Sequence, residues 1–125
     1  MQRRFDVLIG AGIVFILATG IIHYIDAHDS FEDAVYKGLL FYANGAGSLL
    51  SAAGIYRARG EWGWNLGCCI SVVSLILYLF SRTVGLPAIP AEPDAWFEPL
   101  GVASLLMESA FIVVYIVHRS VQNEG

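Results

Sequence analysis

Charge is scarce in this chain: 14% of its 125 residues are charged, against 57% hydrophobic residues and a mean hydropathy of +0.64. That balance excludes a water-soluble globule of this size, because small domains leave much of their surface in solvent. Lysine is scarcer still. Lys37 stands alone at the edge of an apolar stretch, which argues against a Schiff-base lysine in a bundle core. Cys68 and Cys69 are adjacent, so their side chains diverge around a helix and form neither a C-x-x-C redox motif nor a structural disulfide. Also missing are a phosphate-binding glycine loop, a G-x-S-x-G elbow and an H-E-x-x-H helix. A net charge of −4 leaves no basic surface for nucleic acid.

What the chain does have is four long apolar stretches separated by short charged clusters. They run over about 7–25, 36–56, 62–81 and 99–117, each near the length that crosses a hydrocarbon core. Backbone polar groups in lipid must bond internally, and the alternation of a barrel strand is absent, so these segments are predicted to be helices. The second is expected to start near the turn at Asp29, Ser30, Glu32 and Asp33, and Pro99 suits the first turn of the fourth. No small-residue cleavage site follows the first stretch, where the sequence reads His23-Tyr24-Ile25-Asp26-Ala27-His28, so it is expected to be a retained span. The expectation is an all-α membrane protein: one domain over 1–125, folded as a four-transmembrane-helix bundle in the lipid bilayer.

Arg3, Arg4, Arg57, Arg59 and Arg119 fall on one side of such a bundle and only Lys37 and Arg82 on the other, which predicts cytoplasmic termini. The outer side is then acidic, with Asp26, Asp29, Glu32, Asp33, Glu92, Asp94 and Glu98, a face that attracts cations or basic partners. Trp62, Trp64 and Trp96 lie near span boundaries, as interfacial anchors do. Small residues at four-residue spacing, Ala43, Gly47 and Ser51 on the second span and Gly63, Gly67 and Ser71 on the third, predict close helix packing inside the bundle. The stretch 82–98 holds Pro87, Pro90 and Pro93 among apolar residues and suits an external lid on the membrane surface.

Glu108 sits midway along the last span. An ionisable residue at that depth is expensive, and suits proton transfer, cation binding or hydrogen-bond donation while uncharged; the plainer alternative is a carboxyl that locks two helices together. His23, with Asp26, His28 and Glu32, has a spacing that could gather metal ligands, and His23 could serve as an axial haem ligand; a structural or solvated histidine is the alternative. Depth along antiparallel helices places His23, Asn44, Tyr78, Arg82 and Glu98 in the outer half with Glu108 as floor, a polar pocket for a small ligand, cation or cofactor. Asn44 is expected to pair with Glu108, Tyr78 or His23, and Arg82 with Glu98 or another acidic loop residue.

The stretches Tyr36-Lys37-Gly38-Leu39-Leu40-Phe41-Tyr42-Ala43-Asn44, Ser81-Arg82-Thr83-Val84-Gly85-Leu86-Pro87 and Glu98-Pro99-Leu100-Gly101 resemble small four-helix membrane proteins of archaea and actinobacteria. That resemblance runs from Ile13 to Val117 and implies the fold rather than an activity. In size and helix count the chain is also loosely similar to DoxX-like membrane proteins, which implies a respiratory or redox association. Three functions follow as expectations: a non-enzymatic binding module, an accessory subunit of a larger membrane complex, and a haem- or quinone-linked component using His23 or, less readily, His118. Transport would require a homo-oligomer, since four short helices rarely make a pathway alone.

Overall fold

The computed structural model describes residues 2–57, 61–87 and 89–124; the side chains of 2–5, 33, 123 and 124 lie outside the description, as do Arg59 and Ala88 entirely. Of the described residues 88% are helical, and none of them forms a strand. Helix α1 is Gln2–Asp33, α2 Val35–Arg57, α3 Trp62–Arg82 and α4 Pro99–Glu124, with a 3-10 turn at Pro93–Ala95 before α4. All four are long and apolar enough to cross a membrane.

The first reversal differs from the expected acidic turn. Helix α1 continues through Asp33, and α2 begins after Ala34 alone. Within these extra turns Ser30 is buried and donates its hydroxyl to the Asp26 carbonyl at 2.9 Å. The tight reversal requires a glycine: a Cβ on Gly38 would meet the Phe31 ring at 2.3 Å.

The helices form an antiparallel ring in which α1 packs on α2 and α4, and α3 packs on the same two. Residue types are distributed inside out relative to a soluble protein. Val14, Ile21, Leu49, Leu50, Val73, Leu106 and Ile116 face outward, whereas Thr19, Ser48, Ser51, Ser71 and Glu108 are fully buried. Lipid is as apolar as leucine, so apolar burial cannot drive helix association there; close packing and interhelical hydrogen bonds do.

Small residues permit that packing. Gly63, Gly67 and Ser71 are buried on α3, as expected. A Cβ on Gly63 would lie 2.6 Å from the Ile55 backbone nitrogen, so α2 and α3 touch through their main chains. On α2 the expected stripe holds only in part: Ser51 is buried and Gly47 half-buried, but Ala43 is exposed, and the other buried positions are Gly38, Gly45, Ser48, Ala52, Gly54 and Ile55. Trp64 is likewise no interfacial anchor. It is buried, stacks on Phe111 at 5.7 Å and on His118 at 4.4 Å, and reaches Gly12, where a Cβ would meet its ring at 2.5 Å. With Ile16, Ala52 and Ile55 these rings fill the end of the bundle nearer the chain termini.

Candidate functional site: a polar compartment between the helices

The other half of the bundle interior is polar. His23 Nε2 lies 3.0 Å from Glu108 Oε1, joining α1 to α4. The Ser104 hydroxyl donates to the same carboxyl oxygen and lies 3.3 Å from His23 Nε2. Ser104 is one turn from Glu108 on α4, so both reach the same imidazole. Phe41 of α2 packs edge-on against His23 at 5.0 Å. Glu108 is 1% exposed and His23 9%, so the triad is shut off from the bundle exterior.

Across the ring, the Asn44 amide donates to Ser74 Oγ at 2.8 Å, and its carbonyl accepts from the Ser48 hydroxyl at 3.2 Å. Asn44 therefore pairs with neither Glu108, Tyr78 nor His23. It lies on the α2–α3 seam, diagonal to α4, and its neighbours satisfy it.

These contacts fix the register of all four helices. His23 against Ser104 and Asn44 against Ser74 define one level, with Gly20 meeting Ser48 and Gly67 meeting Phe111 below it. One turn deeper than the first level, Thr19, Ser48, Ser71 and Glu108 form a second. Each helix thus contributes a polar side chain to both levels, at spacings of three or four residues. Below lie Ile16 and Phe111, both fully buried, which close the compartment toward the apolar half.

Tyr78, Arg82 and Glu98 lie above it and form the lid. Tyr78 donates its hydroxyl to the Trp96 carbonyl at 2.7 Å, and Arg82 Nε donates to the Ala95 carbonyl at 3.1 Å. The Arg82 guanidinium lies 4.4 Å from the centre of the Tyr78 ring and 3.6 Å from a Glu98 oxygen. Tyr36 donates to the Pro87 carbonyl, and Gly85, at φ 89°, makes the tight turn that returns the loop through Leu86 and Ile89. The lid residues do not touch His23 or Glu108 in any of these bonds, so the expected single pocket is divided into a lid and a deeper compartment.

The expected metal set does not assemble. Asp26 is half-buried, while His28 and Glu32 are exposed on other faces of α1, and no group of three such side chains among the described residues could hold a metal ion. The two histidines offered as alternative haem ligands lie in different halves of the bundle. His118 stacks on Trp64 in the apolar half, about 20 Å along the axis from the level of His23 and Ser104.

Thr19, Ser48, Ser71, Ser74 and Ser104 were not among the expected site residues. Their signal is in the sequence: Thr19 and His23, Asn44 and Ser48, Ser71 and Ser74, Ser104 and Glu108 are helix-spaced polar pairs at matching depths. A separate groove of about 450 Å³ opens between α1 and α2, lined by residues that include Leu17, Ile21, Tyr24, Tyr42 and Leu49. Neither His23 nor Glu108 lines it, and its exposed apolar walls suit acyl chains. No family model, curated protein or solved structure matches the chain.

Proposed function

We propose that this chain is a non-enzymatic, membrane-embedded binding module whose compartment takes a small polar ligand or cation against Glu108. The observation that carries this is the state of one carboxyl. Glu108 uses Oε1 for both His23 and Ser104, while Oε2, fully buried, has no hydrogen-bond partner. A carboxyl serving only as a helix lock would be satisfied through both oxygens, because an unpaired buried polar atom costs about 1–3 kcal/mol.

In this proposal both termini face the cytoplasm and the lid faces outward. Support comes from Arg57 and Arg119 at the end of the bundle that holds the termini, opposite Lys37 and Arg82. Reaction of single-cysteine tags at either terminus with a membrane-impermeant thiol reagent, in intact cells and in lysed ones, reads this topology; labelling in intact cells would reverse it.

Native mass spectrometry from mild detergent tests the binding role. Wild type should carry a small-mass adduct that Glu108→Gln lacks, with the variant still folded. Identical adduct-free spectra, together with a lower melting temperature for the variant, would reduce the triad to a brace.

A further inference from the structure

Two hydroxyls in the same half of the bundle share this state with Glu108 Oε2, whereas the buried Glu61 Oε2, which also lacks a hydrogen bond, lies at the opposite end, 3.8 Å from Arg119. Thr19 Oγ1 and Ser71 Oγ are also buried with no hydrogen-bond partner, and both residues are 0% exposed. By the register that the His23–Ser104 and Asn44–Ser74 contacts set, the three residues fall at about one depth, on α1, α3 and α4. The two hydroxyls have an easy alternative. Ser30 and Thr83 each donate to the carbonyl four residues back, at 2.9 Å and 2.7 Å, whereas Thr19 and Ser71 make no such bond. Three oxygens on three helices left unsatisfied at one depth are therefore not accounted for by helix packing.

We propose that Thr19 Oγ1, Ser71 Oγ and Glu108 Oε2 form a site for a dehydrated monovalent cation. This rests on the binding role proposed above and names its ligand. An oxygen-only set selects a hard cation over a soft one. One carboxylate balances one charge, and a divalent ion would leave an excess charge in a low-dielectric interior. His23 of α1 is the titratable group that meets Glu108, at 3.0 Å. From α3 the neighbour at this depth is Ser71, while Tyr78 and Arg82 are engaged in the lid.

The test is thermal unfolding of the full chain in detergent, in sodium or potassium chloride against choline chloride at equal ionic strength. The alkali cation should raise the melting temperature saturably. Thr19→Val and Ser71→Ala should each raise the half-effective concentration roughly ten-fold or more, and Thr19→Ser should restore it. Ser51→Ala, which removes a hydroxyl bonded to the Gly63 carbonyl one level deeper, should lower stability without moving that concentration. Equal melting in all three salts, or a cation response unchanged in both Thr19→Val and Ser71→Ala, would overturn the site. If cations do nothing but wild type still carries a Glu108-dependent adduct, only the cation assignment falls; if neither is seen, the binding role falls with it.

Discussion

Replacing His23 and Glu108 by leucine, singly and together, should produce a stability cycle whose sign reverses. In the His23→Leu protein, Glu108 keeps Ser104 but loses the imidazole that lies 3.0 Å away, inside a region where it is 1% exposed. Removing one partner of a buried ionisable pair costs about 3–5 kcal/mol. The residual Ser104 bond lowers that to about 3 kcal/mol. Glu108→Leu leaves the imidazole beside Ser104, at 3.3 Å, and should cost about 1–3 kcal/mol. The double variant removes both groups and substitutes side chains of similar volume, so it should lie within about 1 kcal/mol of wild type or above it. The resulting coupling is at least about 3 kcal/mol, well beyond the roughly 0.6 kcal/mol average of an interhelical hydrogen bond in a membrane protein. Reversible unfolding in mixed micelles titrated with denaturing detergent measures all four corners. Single costs that add to within about 0.5 kcal/mol would show that the two residues do not interact.

Other substitutions probe the packing and the lid. Gly63→Ala places a Cβ 2.6 Å from Ile55 N and 2.7 Å from Gly54 C, both backbone atoms, so α2 and α3 must separate; unfolding in micelles should show a loss of about 1–3 kcal/mol. Phe111→Ala empties the stack on Trp64 and should cost about 3–5 kcal/mol by the same assay, while leaving the His23–Glu108 coupling measurable. Arg82→Ala removes the bonds to Ala95 and Glu98 and should speed hydrogen exchange across 83–98 without altering exchange in α1.

The spans were legible because hydropathy over a whole segment reports the solvent outside it, and lipid leaves a strong mark on composition. Their ends were less so. The apolar run of α1 stops at Ile25, yet the helix runs to Asp33, with Ala27 and Ser30 buried against the bundle, a packing that hydropathy does not weigh. Which face of a helix turns inward was only partly visible. The span is apolar all round, so the difference between Ala43 and Gly45, or between Trp62 and Trp64, depends on which neighbour each meets. Glu108 stood out from its charge, whereas Thr19 and Ser71 did not, because hydroxyls are near neutral on a hydropathy scale. Only the register between helices brings them level. The pairing of Asn44 with Ser74 was missed for a related reason: depth alone cannot tell an adjacent helix from a diagonal one.

The distance between the His23 imidazole and the Glu108 carboxyl, in protein reconstituted into lipid, decides whether the interior is organised as described. Solid-state NMR with ¹⁵N in the imidazole and ¹³C in the carboxyl measures it through their dipolar coupling. A 3.0 Å hydrogen bond implies a nitrogen-to-carbon separation of about 4 Å, and strong dephasing is the expected result. No measurable coupling, in a preparation whose four helices are intact, would contradict the compartment at its centre.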